Sequence, residues 1–193
     1  MPPKTRITKE MILNAVLAIT REQGFETVNA RSIAGKLSCS TRPVFTCYEN
    51  MAELKKDFLA FAYEYYIQYT DRFQKDFSPK PYLLLPISYI AFAREEPQLF
   101  RLLFINDMDL NMTSAMDFYH ELDNVKRAQT FAETFGLEEK RGRTVFLDFF
   151  LYAHGIAVLT ASKKLNLDQK TIEQMVTNVL SAFLNQEKGG ADT

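Results

Sequence analysis

Tryptophan is absent from the 193 residues, and cysteine occurs only twice, as Cys39 and Cys47. Two cysteines build neither a disulfide framework nor a thiolate zinc site. On one continuous helix, eight residues at ~1.5 Å each would hold them ~12 Å apart, beyond the ~7 Å between Cα atoms that a bridge tolerates. They are expected to be reduced thiols. Glycine and proline number seven each and fall mostly between the apolar runs, which leaves little material for repeated tight turns. No apolar run reaches ~20 residues without interruption. The two candidates, Pro81 to Ala93 and Phe146 to Ala161, are cut by Pro86 and by Asp148 and His154 respectively. No membrane helix is therefore expected, and with no secretory signal pattern at the start the expected location is cytoplasmic.

Catalytic signatures are equally scarce. Asp107-x-Asp109-x-Asn111 imitates the start of a calcium loop, but Met112 replaces the glycine such a loop needs at its sixth position and Phe118 the glutamate at its twelfth. His120-Glu121 begins like a zinc-protease helix, and Asn124 stands where the second histidine belongs. There is no phosphate-binding glycine loop and no nucleophile elbow. The expectation is a protein that is not an enzyme, with no metal and no cofactor.

What is present is helical periodicity. Almost every apolar run repeats at three and four residues, which predicts an all-α protein of about nine helices. Ile12, Ala15, Val16 and Ile19 stripe a first helix over 8–23, closed by Gly24. Asn29 is placed to cap a short second helix with Ile33, Ala34 and Leu37 inside. The turn Ser38-Cys39-Ser40 leads to a third, which Ser40 or Thr41 can cap and whose first turn holds Pro43. A long helix over 52–75 carries Leu54, Phe58, Phe61, Ala62, Tyr65, Tyr69 and Phe73, and Ser78 to Pro81 breaks it. Further helices are predicted through Ile87 and Phe92 to Glu96-Pro97, through Leu99, Leu102, Leu103 and Ile105, and over 114–135, 139–162 and 168–186. A loop is predicted from Asn106 to Thr113 and a frayed tail from Gly189.

Three short helices within forty residues, with a three-residue turn before the third, form the layout of a helix-turn-helix. This divides the chain into a reading head, 1–51, and a helical body, 52–193. Charge is distributed to match: residues 1–56 hold nine cations against five anions, +4, and the rest fourteen against nineteen, −5. A basic head suits phosphate. Val44 is expected to face inward and Thr41, Arg42 and Thr46 outward, with Arg42 the best reader of guanine. Aromatics make up 13% of the chain. Phe61, Tyr65, Tyr69, Phe92, Phe100, Phe104, Tyr119, Phe149 and Tyr152 are candidates to line a pocket for a small apolar or aromatic effector. Asp148 and His154 interrupt an apolar helix, either as ligand contacts, as a buried polar pair or at a dimer seam. Leu151, Val158 and Leu159, with Ile172, Met175, Val176, Val179, Leu180 and Phe183, form stripes suited to a homodimer or to packing within one subunit.

The run Gly24-Phe25-Glu26-x-Val28-x-x-Arg31-x-Ile33-Ala34-x-x-Leu37-x-Cys39-Ser40, continued by Val44-Phe45-x-Cys47-Tyr48-x-Asn50-x-x-Glu53-Leu54, resembles the DNA-binding segment of TetR-family repressors. Tyr89-Ile90-x-Phe92-Ala93-x-x-x-Pro97-x-Leu99-Phe100-Arg101-Leu102-Leu103-Phe104 and His154-Gly155-Ile156-Ala157 look like segments of that family's ligand-binding domains. The resemblance implies a homodimer on a near-palindromic double-stranded operator, joined through a four-helix interface of its last two helices. It implies Arg31, Thr41, Arg42 and Pro43 at bases and Phe45 and Cys47 beside the backbone, and Ser40, Thr46, Tyr48 and Lys55 complete the expected DNA-binding set. Phe45, Cys47 and Met51 depart from the family's usual tyrosine, histidine and lysine, each time losing a phosphate donor. Losing charge at Met51 flattens the expected salt dependence, which Lys55 and Lys56 can restore. The function implied is ligand-relieved repression. The alternatives are a dimeric ligand-binding or protein-interaction module with a degenerate head, or a helical enzyme using His154 with Asp148.

Overall fold

A computed structural model describes residues 6–76, 80–107, 112–120 and 122–186. Among the described residues there are nine α-helices and no strand, the all-α architecture expected from the periodicity. They are α1 (Lys9–Gln23), α2 (Ala30–Lys36), α3 (Arg42–Cys47), α4 (Met51–Asp76), α5 (Pro81–Glu95), α6 (Pro97–Arg101), α7 (Leu122–Phe135), α8 (Glu139–Ala161) and α9 (Gln169–Asn185). Parts of the expected break at Ser78 to Pro81 and of the loop Asn106 to Thr113 lie outside the described residues, as does the tail from Gly189. The chain packs as two units. One is Met1–Tyr69 with Glu96–Asp107, and the other is Thr70–Glu95 with Met108–Thr193. The boundary expected from the sequence, 51/52, falls inside the first unit.

The first unit is organised by helix ends that satisfy their own backbone. Thr8 caps α1 by accepting from the Met11 amide at 3.2 Å, and Ile12, Ala15, Val16 and Ile19 are buried as their spacing requires. Asn29 Oδ1 accepts from the amides of Arg31 and Ser32 at 3.0 Å each, while Ser32 Oγ accepts from the Asn29 amide at 2.9 Å. This reciprocal box fixes where α2 begins. At α3 the expected hydroxyl cap is not made: Thr41 occupies the cap position without a side-chain bond, and Pro43 in the first turn supplies the pre-set backbone instead. Asn50 caps α4 through the Ala52 and Glu53 amides. The buried seam of α4 runs Leu54, Phe58, Ala62, Tyr66, a spacing of four.

Leu99 and Phe100 are buried in α6, which runs directly into a π-helical turn, Leu102–Asn106, closed by the Asp107 amide on the Leu102 carbonyl at 3.0 Å. In the second unit α8 is the central element, with α5, α7 and α9 packed on it. By length and composition it is apolar enough to cross a membrane, an 18-residue stretch within its 23 residues having a mean hydropathy of 1.6, with 44% of that stretch buried. Phe118, Tyr119, Ala128 and Leu147 form a core flanked by Val125, Phe146 and Phe150. Gly142 allows close approach of α7, since a Cβ there would collide with the Ala132 side chain.

Three helices end in one hydrogen-bonded motif. After α7, Gly136 takes φ 63° while the Leu137 amide reaches back to the Ala132 carbonyl at 2.9 Å. After α2 the same position is Ser38, φ 51°, with Cys39 N to Ala34 O at 3.0 Å. After α8 it is Lys163, φ 56°, with Lys164 N to Leu159 O at 2.8 Å. A side chain held left-handed costs about 1–2 kcal/mol that glycine avoids. Ser38→Gly and Lys163→Gly are each expected to stabilise the protein by roughly 1 kcal/mol after glycine's greater unfolded-state entropy is subtracted. Urea unfolding of the two variants checks this.

Candidate nucleic-acid interface

The three-helix head presents α3 with one residue inward. Val44 is 1% exposed and anchors the helix, and Arg42, Phe45 and Thr46, at spacings of three and four, stand exposed on the other side. Phe45 is 53% exposed. Thr46 Oγ1 donates to the Arg42 carbonyl at 3.0 Å, so its proton is spent inside the helix. Arg31, at the start of α2, and Ser40 are exposed, while Thr41, Pro43 and Cys47 are half-buried. Both thiols are free.

Tyr48 does not belong to this face. It is 2% exposed, with the Lys9 ammonium 4.5 Å from the centre of its ring. Burial first, and then the Asp57 carboxylate, push its pKa up to about 12. The physical reason is local: Tyr48 stands four residues after the inward Val44, on the same side of α3, as the residue that ends the helix. Lys55 is also committed, 2.6 Å from Asp107, where it pins the end of the π turn to α4.

Ion pairing sorts the head's cations. Lys9 pairs with Glu53 and Asp57, Arg21 with Glu96, Lys36 with Glu22 and Lys55 with Asp107. Among the described residues, Arg6, Arg31, Arg42 and Lys56 have no acidic partner within 4.0 Å, and all four are exposed. The residues singled out for base reading, Arg31 and Arg42, are thus in the set whose charge is not already neutralised.

A buried polar clasp in this unit was not anticipated from the sequence. Glu96, with a side chain 8% exposed, accepts from Arg21 Nε at 2.7 Å and Tyr65 Oη at 2.9 Å, and its Oε1 lies 2.6 Å from an Arg21 terminal nitrogen. The hydrogen bond to Glu96 raises the Arg21 pKa. This clasp ties the end of α1 to α4 and to the start of α6. In the sequence Glu96 is one of two consecutive glutamates before Pro97, with nothing to set it apart from its exposed neighbour Glu95. Tyr65, expected in a ligand pocket, is held here.

The remaining pocket candidates divide between the units. Phe61, Tyr69, Phe100 and Phe104 lie in the first, and Phe92, Tyr119, Asp148, Phe149 and Tyr152 in the second. Phe92 and Phe100 are wholly enclosed and Phe149 nearly so, which makes them core. Tyr119 is buried, donates to the Arg143 carbonyl and has its pKa raised to about 12, chiefly by burial. Phe61, Tyr69, Phe104 and Tyr152 are half-buried.

Asp148 and His154 do not meet. Six residues on a helix amount to 240°, so they face apart. His154 Nδ1 lies 2.9 Å from Tyr89 Oη and its ring stacks on Phe150 at 5.6 Å. Burial lowers its pKa, which favours the neutral ring at neutral pH. Asp148 is exposed, in line with Leu151, Gly155 and Leu159. Of the expected dimer stripe, Leu151 and Leu159 are 49% and 47% exposed, and Val158, Met175, Val179 and Phe183 are half-buried. Ile172, Val176 and Leu180 are buried within the subunit, which corrects the stripe: they are the inner face of α9, and Met175, Val179 and Phe183 flank it. Among the described residues no three His, Cys, Asp or Glu side chains are grouped to hold a metal ion.

Comparison with known proteins gives no matching family model and no matching curated protein.

Proposed function

We propose that this chain is a ligand-responsive transcriptional regulator of the TetR type, a repressor that reads a near-palindromic operator as a homodimer. The observation that carries the reading is the face of α3: a short helix on a capped three-helix platform, with Arg42 exposed and free of ion pairs and Arg31 likewise at the head of α2. A free guanidinium is the group that reads guanine bidentately, and Lys9, Lys36 and Lys55 being paired elsewhere leaves Arg31 and Arg42 among the head's unspent cations. Leu151 and Leu159, exposed on α8, supply the dimer seam, which sets the two heads ~34–36 Å apart on one side of the duplex. The effector is apolar or aromatic and draws on the half-buried rings Phe61, Tyr69 and Phe104 of the first unit. It releases the operator by binding better to the conformation whose heads no longer match successive major grooves.

Selection of bound sequences from a random duplex library by the purified protein tests this. Enrichment of a near-palindrome is expected, and Arg42→Ala should relax one position per half-site at a cost of ~1–3 kcal/mol. A second reading, a dimeric ligand-binding module whose head has degenerated, draws on Lys9, Lys36 and Lys55 being held in ion pairs. It predicts no enrichment at low salt.

A further inference from the structure

The resemblance places Phe45 beside the DNA backbone, a position for which phenylalanine has no chemistry: it can neither donate to nor accept from a phosphate. Its surroundings suit another task. The ring is 53% exposed on the face that carries Arg42 three residues before it, while Val44, 1% exposed, does the anchoring of α3. Phe45 is therefore not retained for the core. Thr46, the next residue on that face, has its hydroxyl proton committed to the Arg42 carbonyl at 3.0 Å. The face thus offers one charged donor and, beside it, one large apolar surface. In the major groove the single apolar mark on a base edge is the 5-methyl group of thymine. We infer, resting on the DNA-reading function proposed above, that Phe45 is a specificity-determining residue that selects thymine through its methyl group, next to the base read by Arg42.

The ring's exposure in the free protein gives the contact its direction. Covering it on DNA removes apolar surface from water without undoing any packing in the head, and the methyl it covers is likewise hydrated in free duplex. Cytosine at the same step presents an amino donor to the ring, leaving that donor unpaired and dehydrated, so it is rejected. Neither effect needs a charge, so this preference persists at salt concentrations that weaken the phosphate contacts.

The test uses the full-length protein and the duplex recovered by selection, with each thymine replaced in turn by deoxyuridine, which removes the methyl and nothing else. One thymine per half-site is expected to be sensitive, losing roughly four-fold in affinity for one lost methyl contact. Phe45→Ala should bind the thymine and uracil duplexes equally, and Phe45→Leu should keep most of the difference. Phe45 is exposed, so neither variant disturbs the fold of the head. A duplex that is enriched but has no uracil-sensitive position, or one whose sensitivity survives in Phe45→Ala, overturns the assignment and leaves the DNA-reading function standing. Failure to enrich any duplex overturns both.

Discussion

Replacing Leu151 and Leu159 together by aspartate is expected to convert the proposed dimer to a monomer and to cut its affinity for a selected palindromic duplex a hundred-fold or more. The two leucines lie eight residues apart on the same exposed face of α8, with Gly155 between them, where an added Cβ meets nothing within 4 Å. A face of this kind lets two helices approach closely, and Val158, Met175, Val179 and Phe183 widen it onto α9. Four carboxylates across a two-fold seam would be desolvated against one another, which no interface of ordinary size tolerates. The loss on DNA follows from linkage. In the dimer the second half-site is occupied intramolecularly, and removing that connection forfeits an avidity of about 10²–10⁴. Light scattering reads the first effect and a binding titration the second. Because both positions are exposed in the subunit, the variant should still fold, its helical circular dichroism unchanged, while its melting temperature loses what association contributed. A variant that remains dimeric would place the seam elsewhere.

The second large effect is on stability. Glu96→Ala is expected to lower it by about 3 kcal/mol, or ~6–12 °C in the melting temperature of a chain of this size, because the change removes the acceptor for both Arg21 and Tyr65. The value is set below that of a fully buried pair because the Arg21 side chain is 48% exposed and recovers part of its hydration. Glu95→Ala, one residue earlier and exposed, is the control and should stay within about 0.5 kcal/mol. Equal melting temperatures for the two variants would remove the clasp from the account.

Why Asn29 and the core of α1 were legible in the sequence while Glu96 was not comes down to range. A cap acts over three residues and an apolar stripe over four, so both leave a pattern in a short window. The Arg21 to Glu96 bond spans 75 positions and is made by residue types that are usually solvated. Tyr48 illustrates a second limit. It stands four residues after the inward Val44, so the helical period alone puts it on the buried side, a signal that one inward residue in so short a helix makes easy to pass over. The α9 stripe shows a third. Ile172, Val176 and Leu180 differ from Met175, Val179 and Phe183 only by a rotation about the helix, and hydrophobicity alone does not say which set faces its own subunit. Asp148 and His154 were joined by their shared oddity in an apolar run, although their spacing already placed them apart. Arg42 is outward by the phase of α3, because Val44 admits only one inward direction, whereas Arg31 enters only through the resemblance; both are exposed.

The central claim, that the charge left unpaired on the head meets phosphate, is tested most directly by the salt dependence of binding to the selected duplex. With Arg31 and Arg42 on bases, Arg6 and Lys56 from each of two subunits neutralise about four phosphates, and the affinity should fall roughly a hundred-fold between 50 and 200 mM salt. An affinity that is flat over that range, or a duplex bound no better than random sequence at the lower concentration, would contradict it.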